Sequence, residues 1–72
     1  MTYPTEIAEA IQLHKDGQLD QSRQLLRNYL LRDPANVDAL LWLAKVSPDE
    51  REALAAAELA LALEPDNEIA QR

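Results

Sequence analysis

One pattern occurs twice and limits every fold this chain can adopt. Residues 25–36 read LLRNYLLRDPAN and residues 56–67 read AAELALALEPDN. Each closes an apolar run with an acid, a proline, one further residue and an asparagine. A single constant offset sets Leu30 on Leu61, Asp33 on Glu64, Pro34 on Pro65 and Asn36 on Asn67. Proline has no N–H to give and its ring clashes with the preceding turn, so a helix stops there. The asparagine that follows suits the N-cap of the next helix. Recurrence at roughly 20–50 residues marks an array of one supersecondary unit, and a spacing near thirty leaves room for two helices per copy.

Composition agrees with helices and with little else. Strong helix formers fill most positions, glycine occurs once and phenylalanine not at all. Seventy-two residues allow one small domain, 1–72, whose core is marginal by surface-to-volume scaling. With no cysteine, neither a disulfide nor a thiolate-bound metal can reinforce it. Stability has to come from helix packing, from a partner, or from more of the same array.

Taken in order, Tyr3-Pro4 reads as an extended lead-in and Thr5 as the N-cap of a first helix over 6–16. Ile7, Ala10, Ile11 and His14 recur on it at helical spacing. Gly17 ends it, where a left-handed residue is needed. A second helix over 19–32 follows at once, with Leu19, Ser22, Leu26, Tyr29 and Leu30 on one face. So short a connection makes the two an antiparallel pair. Asn36 caps a third helix over 37–46, VDALLWLAKV, which is apolar on nearly every side and therefore belongs between neighbours. Ser47-Pro48-Asp49-Glu50 reads as a capping box, with Ser47 as N-cap, opening a fourth helix over 48–63. Ala53, Ala56, Ala57 and Ala60 give that helix a small-residue face. Asp66-Asn67 then starts a fifth segment, EIAQR, over 68–72.

These features resemble the tetratricopeptide repeat (TPR). The first copy, about 3–36, carries Ala10, Leu13, Gly17, Leu19, Ser22, Leu26 and Pro34. The second, about 37–67, carries Leu40, Leu43, Ala44, Ala53, Ala57, Ala60 and Pro65. The resemblance implies an all-α fold: antiparallel helical hairpins stacked as a short right-handed solenoid, four helices plus a C-terminal stub. The family period is about 34 residues, and the three missing here fall between Val46 and Asp49. Glu6 and Glu9 stand where the family favours large apolar residues, which suits a terminal helix. Tyr29 stands where the family usually has alanine.

Chemistry is scarce. There is one histidine, no cysteine and no glycine-rich phosphate loop. His14 has no serine, cysteine or aspartate at a spacing that builds a triad, and His14 with Asp16 is too sparse for a metal. The carboxylates fall on helix faces and ends, where solvation and capping account for them. Neither enzyme activity nor a cofactor is expected. The net charge of −6 is uneven: residues 1–34 hold four Lys/Arg against five Asp/Glu, residues 35–72 three against eight. Such a surface repels a phosphate backbone, so nucleic acid is a poor partner. No apolar run approaches the roughly 20 residues of a membrane span, and the N-terminus lacks a basic stretch followed by an apolar one. A cytoplasmic protein is the expectation.

Binding is what remains. In the family, the first helix of each repeat lines a concave groove. Mapped here, that groove takes Ile7, Ile11, His14 and Lys15 from the first helix and Asp38, Leu41, Trp42 and Lys45 from the third. Ile7, Ile11 and Trp42 occupy the places where the family's carboxylate clamp needs polar and basic residues, so an acidic peptide terminus held in that mode is excluded. Trp42 has two readings: a cover over the seam between the first and third helices, or a partly exposed anchor in an apolar groove. The expected partner is a protein or peptide. Two repeats leave apolar faces open at both ends, so a homodimer is a corollary.

Overall fold

The computed structural model describes residues 4–64. There the chain is all helix, with no strand: α1 (Thr5–Lys15), α2 (Leu19–Arg32), α3 (Val37–Val46) and α4 (Glu50–Leu63). The expectations placed on Tyr3, on Pro65 as a helix stop, on Asp66-Asn67 and on a fifth segment over 68–72 lie outside the described residues.

Local chemistry sets each boundary. Pro4 sits extended at φ −52° and ψ 151°, and its carbonyl accepts from Ala8 N at 3.0 Å. Thr5 is therefore the first helical residue and not the side-chain cap expected of it. At the other end Gly17 adopts φ 80°. Its N–H reaches His14 O at 3.1 Å, while Gln18 N–H reaches Leu13 O at 2.9 Å, the paired bonds of a Schellman turn. This turns the chain straight into α2.

α2 and α3 occupy the expected residues. Their junction is a closed polar network. Asn36 Oδ1 accepts from Ala39 N at 3.0 Å, which caps α3. Its Nδ2 donates to Asp33 Oδ2 at 3.1 Å and to the Tyr29 hydroxyl at 3.3 Å, and that hydroxyl donates to Asp33 Oδ2 at 3.1 Å. Tyr29 is thus what ties the end of α2 to the start of α3. Burial and then the Asp33 hydrogen bond push its phenol above the ordinary tyrosine range.

α4 starts later than expected. The Ser47 hydroxyl accepts from Asp49 N at 3.2 Å and donates to Asp49 O at 3.3 Å, forming a turn of its own. Asp49 then becomes the N-cap, with Oδ1 accepting from Arg51 N at 2.9 Å. Two good caps stand two residues apart, and the inner one takes the helix. Ser47 and Glu50 do not form the capping box.

α3 packs against each of the other helices, as its all-round apolar sequence requires. Ala39, Leu40, Leu43 and Val46 of α3 form the core with Ile7 and Ala10 of α1, Leu26 of α2, and Ala56 and Ala60 of α4. Ser22 is the one buried polar side chain among the described residues. Its hydroxyl donates to Ala10 O at 2.7 Å and so joins α1 to α2. A satisfied bond of this kind contributes about 1 kcal/mol, and the partner left alone would cost more.

Candidate functional site

The eight residues expected in a groove separate into three groups. Ile7 is 0% exposed and belongs to the core, so it lies outside any binding surface. The register explains this: Ile7 and Ala10 are three apart on the stripe that α1 turns inward. Ile11, Leu41 and Trp42 are half-buried against the core. Asp38 and His14 are also half-buried, while Lys15 and Lys45 are exposed.

Contacts bring three of them together. Trp42 meets His14 edge-on, with ring centroids 5.7 Å apart and planes at 63°. Lys45 Nζ lies over the Trp42 ring, 5.0 Å from its centre. The contacts follow from spacing, since Lys45 is three residues on from Trp42 and both lie at the edge of α3 that faces α1. Trp42 therefore crosses the α1–α3 seam, partly as cover and partly as surface, with a cation on its face. His14 Nδ1 is buried there without a hydrogen-bond partner among the described residues.

A second constellation, which the sequence does not announce, lies between α2 and α4. Arg23 Nε donates to Glu52 Oε1 at 2.7 Å, and Arg27 Nε lies 3.4 Å from Oε2 of the same carboxylate. The Arg23 hydrogen bond, partly opposed by burial and helped by Ser47, holds Glu52 below the usual carboxylate range. The same bond raises Arg23. Two cations share one anion. Beside them opens a cavity of about 530 Å³ lined by Gln24, Arg27, Asn28 and Leu31 of α2, with Leu30, Leu43 and Glu52. Gln24, Arg27, Asn28 and Leu31 stand at i, i+3, i+4 and i+7, one full stripe of α2. That spacing is visible in the sequence, but the arrival of Glu52 from the second hairpin is not.

No group of three or more metal-ligating side chains assembles among the described residues. No helix there is long and apolar enough to cross a membrane. No family model matches the chain, and neither a curated protein nor a solved structure matches it.

Proposed function

We propose that this chain is a TPR-like protein-interaction module, an adaptor or assembly domain of the cytoplasm, built as two stacked helical hairpins of a short right-handed solenoid. The observation that carries the reading is the seam around Trp42. A large aromatic residue is half-buried between the first helices of the two hairpins, with Lys45 on its face and His14 at its edge. Such a side chain is already desolvated on one side and held in place, so a ligand gains contact area there at little cost in ordering. The apolar flank of Ile11 and Leu41 would take aliphatic side chains of a peptide.

Peptide selection from a random displayed library tests this. The wild-type chain should enrich a recognisable peptide family, and Trp42→Ala should abolish enrichment while circular dichroism keeps its helical signal. Failure to enrich any family, or equal loss of helix and binding in Trp42→Ala, overturns the reading.

A specific feature of α4 supports a second reading, a structural or regulatory domain of a larger protein. Leu54, Ala57 and Leu61 are the repeat equivalents of Arg23, Leu26 and Leu30. On α2 that stripe is occupied by neighbouring elements, whereas on α4 Leu54 is 60% exposed. A further helix laid on it would continue the array. Fusion to, or co-expression with, a helical neighbour should then raise the melting temperature without any peptide being bound.

A further inference from the structure

The charges along the Trp42 seam are sorted by sign. α1 runs antiparallel to α2, because Ser22 bonds to Ala10 while Arg32, ten residues on, lies 3.5 Å from Glu6. α3 turns back along α2 after the short connection 33–36, so α1 and α3 point the same way and finish at one end of the seam. Asp38, Leu41, Trp42 and Lys45 stand at i, i+3, i+4 and i+7, one stripe of α3. Asp38 and Lys45 are the only charged residues of that helix, one in its first turn and one in its last. Lys15, one turn after Ile11 on α1, brings a second cation to the Lys45 end.

These charges are not spent within the chain. Among the described residues the ion pairs join Arg23 and Arg27 to Glu52, and Arg32 to Glu6, so all three bases belong to α2. Lys15 and Lys45 have no acid, in a chain of thirteen acids and seven bases. The next acid along from each is engaged elsewhere. Asp16 Oδ1 accepts from Gln12 Nε2 at 3.1 Å, roughly 100° round α1 from Lys15. Asp49 caps α4 and acts on Arg23 of α2. Lys45 rests instead on the Trp42 ring, and a ring face takes no hydrogen bond from all three of its N–H groups.

Separation and sign together define what would fit. Seven residues of helix put Asp38 and Lys45 about 10 Å apart. In an extended peptide every second side chain faces the same way, and four residues span about 13 Å. The lysine side chains are long enough to take up the difference. We infer that the seam selects extended peptide segments of mixed charge: a basic side chain at Asp38, an aliphatic one on Ile11, Leu41 and Trp42, and a side-chain carboxylate at Lys15 and Lys45. This rests on the peptide-binding reading of the same site and names the class of peptide. The acid is a side chain within the segment, so the terminal-carboxylate mode stays excluded.

Selection from a random displayed library on the full chain tests it, followed by fluorescence anisotropy with a labelled peptide of the enriched family. The wild type should enrich peptides with a base and an acid about four positions apart and an aliphatic residue midway. Salt at about 1 M should weaken the labelled peptide severalfold. Lys15→Glu combined with Lys45→Glu should exchange the acid of the enriched family for a base and weaken the wild-type peptide about tenfold. Asp38→Lys should exchange the base for an acid. Lys15→Gln combined with Lys45→Gln, which opposes the helix dipoles less, should erase the preference for an acid and keep the aliphatic and basic positions. An enriched family with an aliphatic anchor and no paired charges, or a charge pattern that the variants leave unaltered, would overturn the inference and leave the peptide-binding reading standing. Loss of all selection together with helical signal in the glutamine variant would also overturn it, by assigning the lysines to stability. A wild type that enriches no family overturns both.

Discussion

The two hairpins are alike in length and unlike in substance. α2 and α4 span fourteen residues each and begin and end in the same register of the repeat. Yet α2 buries Ser22 and Leu26, flanked by Leu25, Tyr29 and Leu30, whereas the matching stripe of α4 is Ala53, Ala56, Ala57 and Ala60, with Leu61 as its one large side chain. Bulky side chains fill the space around α2, which has α1 on one side and α3 on the other. Alanines let α4 approach α3 closely but bring little volume. The turns differ likewise: a left-handed glycine joins α1 to α2, and a serine turn with an aspartate cap joins α3 to α4. A repeat can thus keep its boundaries while its packing is carried unevenly, and the first hairpin should hold most of the stability.

The strongest blow to that contrast is Leu26→Ala. Leu26 is fully buried, so its truncation should cost about 3 kcal/mol. A core this size supplies only ~3–5 kcal/mol. About 0–2 kcal/mol would then remain, so urea unfolding followed by circular dichroism should find the folded baseline shortened or lost and a measurable unfolded fraction already in the absence of denaturant. A small shift in midpoint would mean that the second hairpin carries the fold.

Gly17→Ala comes next. A Cβ there meets nothing within 4 Å, so the cost is that of the left-handed backbone alone, about 1–2 kcal/mol. Asp49→Ala, which removes the cap of the other hairpin, should cost about 1 kcal/mol. Reversal of that order in thermal melts would break the assigned roles of the two turns.

Glu52→Gln probes the bridge between the hairpins and should cost at most about 1 kcal/mol at neutral pH, because the pair is only partly shielded. The sign with pH is fixed. Glu52 is held below its unfolded value, so its contribution is complete above the ordinary carboxylate range and is lost as pH falls through the folded value. The gap in melting temperature between wild type and Glu52→Gln should therefore close on acidification. A gap that persists in acid would show that the loss is one of packing. The smallest effect belongs to Ala57→Leu, which places on α4 what Leu26 is on α2. Ala57 is half-buried at the rim, and a change within about 0.5 kcal/mol is expected. A large loss would show that α3 and α4 are packed more tightly than the exposure of Leu54 implies.

Helix number, order and most boundaries can be read from punctuation: Gly17, Pro34 and Asn36 each act through their own backbone or neighbouring N–H groups. The start of α4 escapes that reading because two cap residues lie within one turn of each other and only their mutual hydrogen bonds decide between them. At the candidate site, helical spacing accounts for Lys45 beside Trp42, three residues apart on α3, whereas His14 joins them only through the resemblance to the repeat family. The same mapping puts Ile7 on that surface in error, because a helical stripe shows which residues align, not which of them a neighbouring helix will cover. The Arg23–Glu52–Arg27 bridge and the cavity beside it depend on how α2 and α4 lie across α3, and no local pattern encodes that.

The left-handed turn at Gly17 has a stereochemical corollary. A backbone at φ 80° is the ordinary right-handed geometry seen in a mirror, so an amino acid of opposite chirality belongs there. A chain of this length prepared by chemical synthesis with D-alanine at position 17 should fold more stably than the natural one, since it narrows the unfolded ensemble without straining the folded turn.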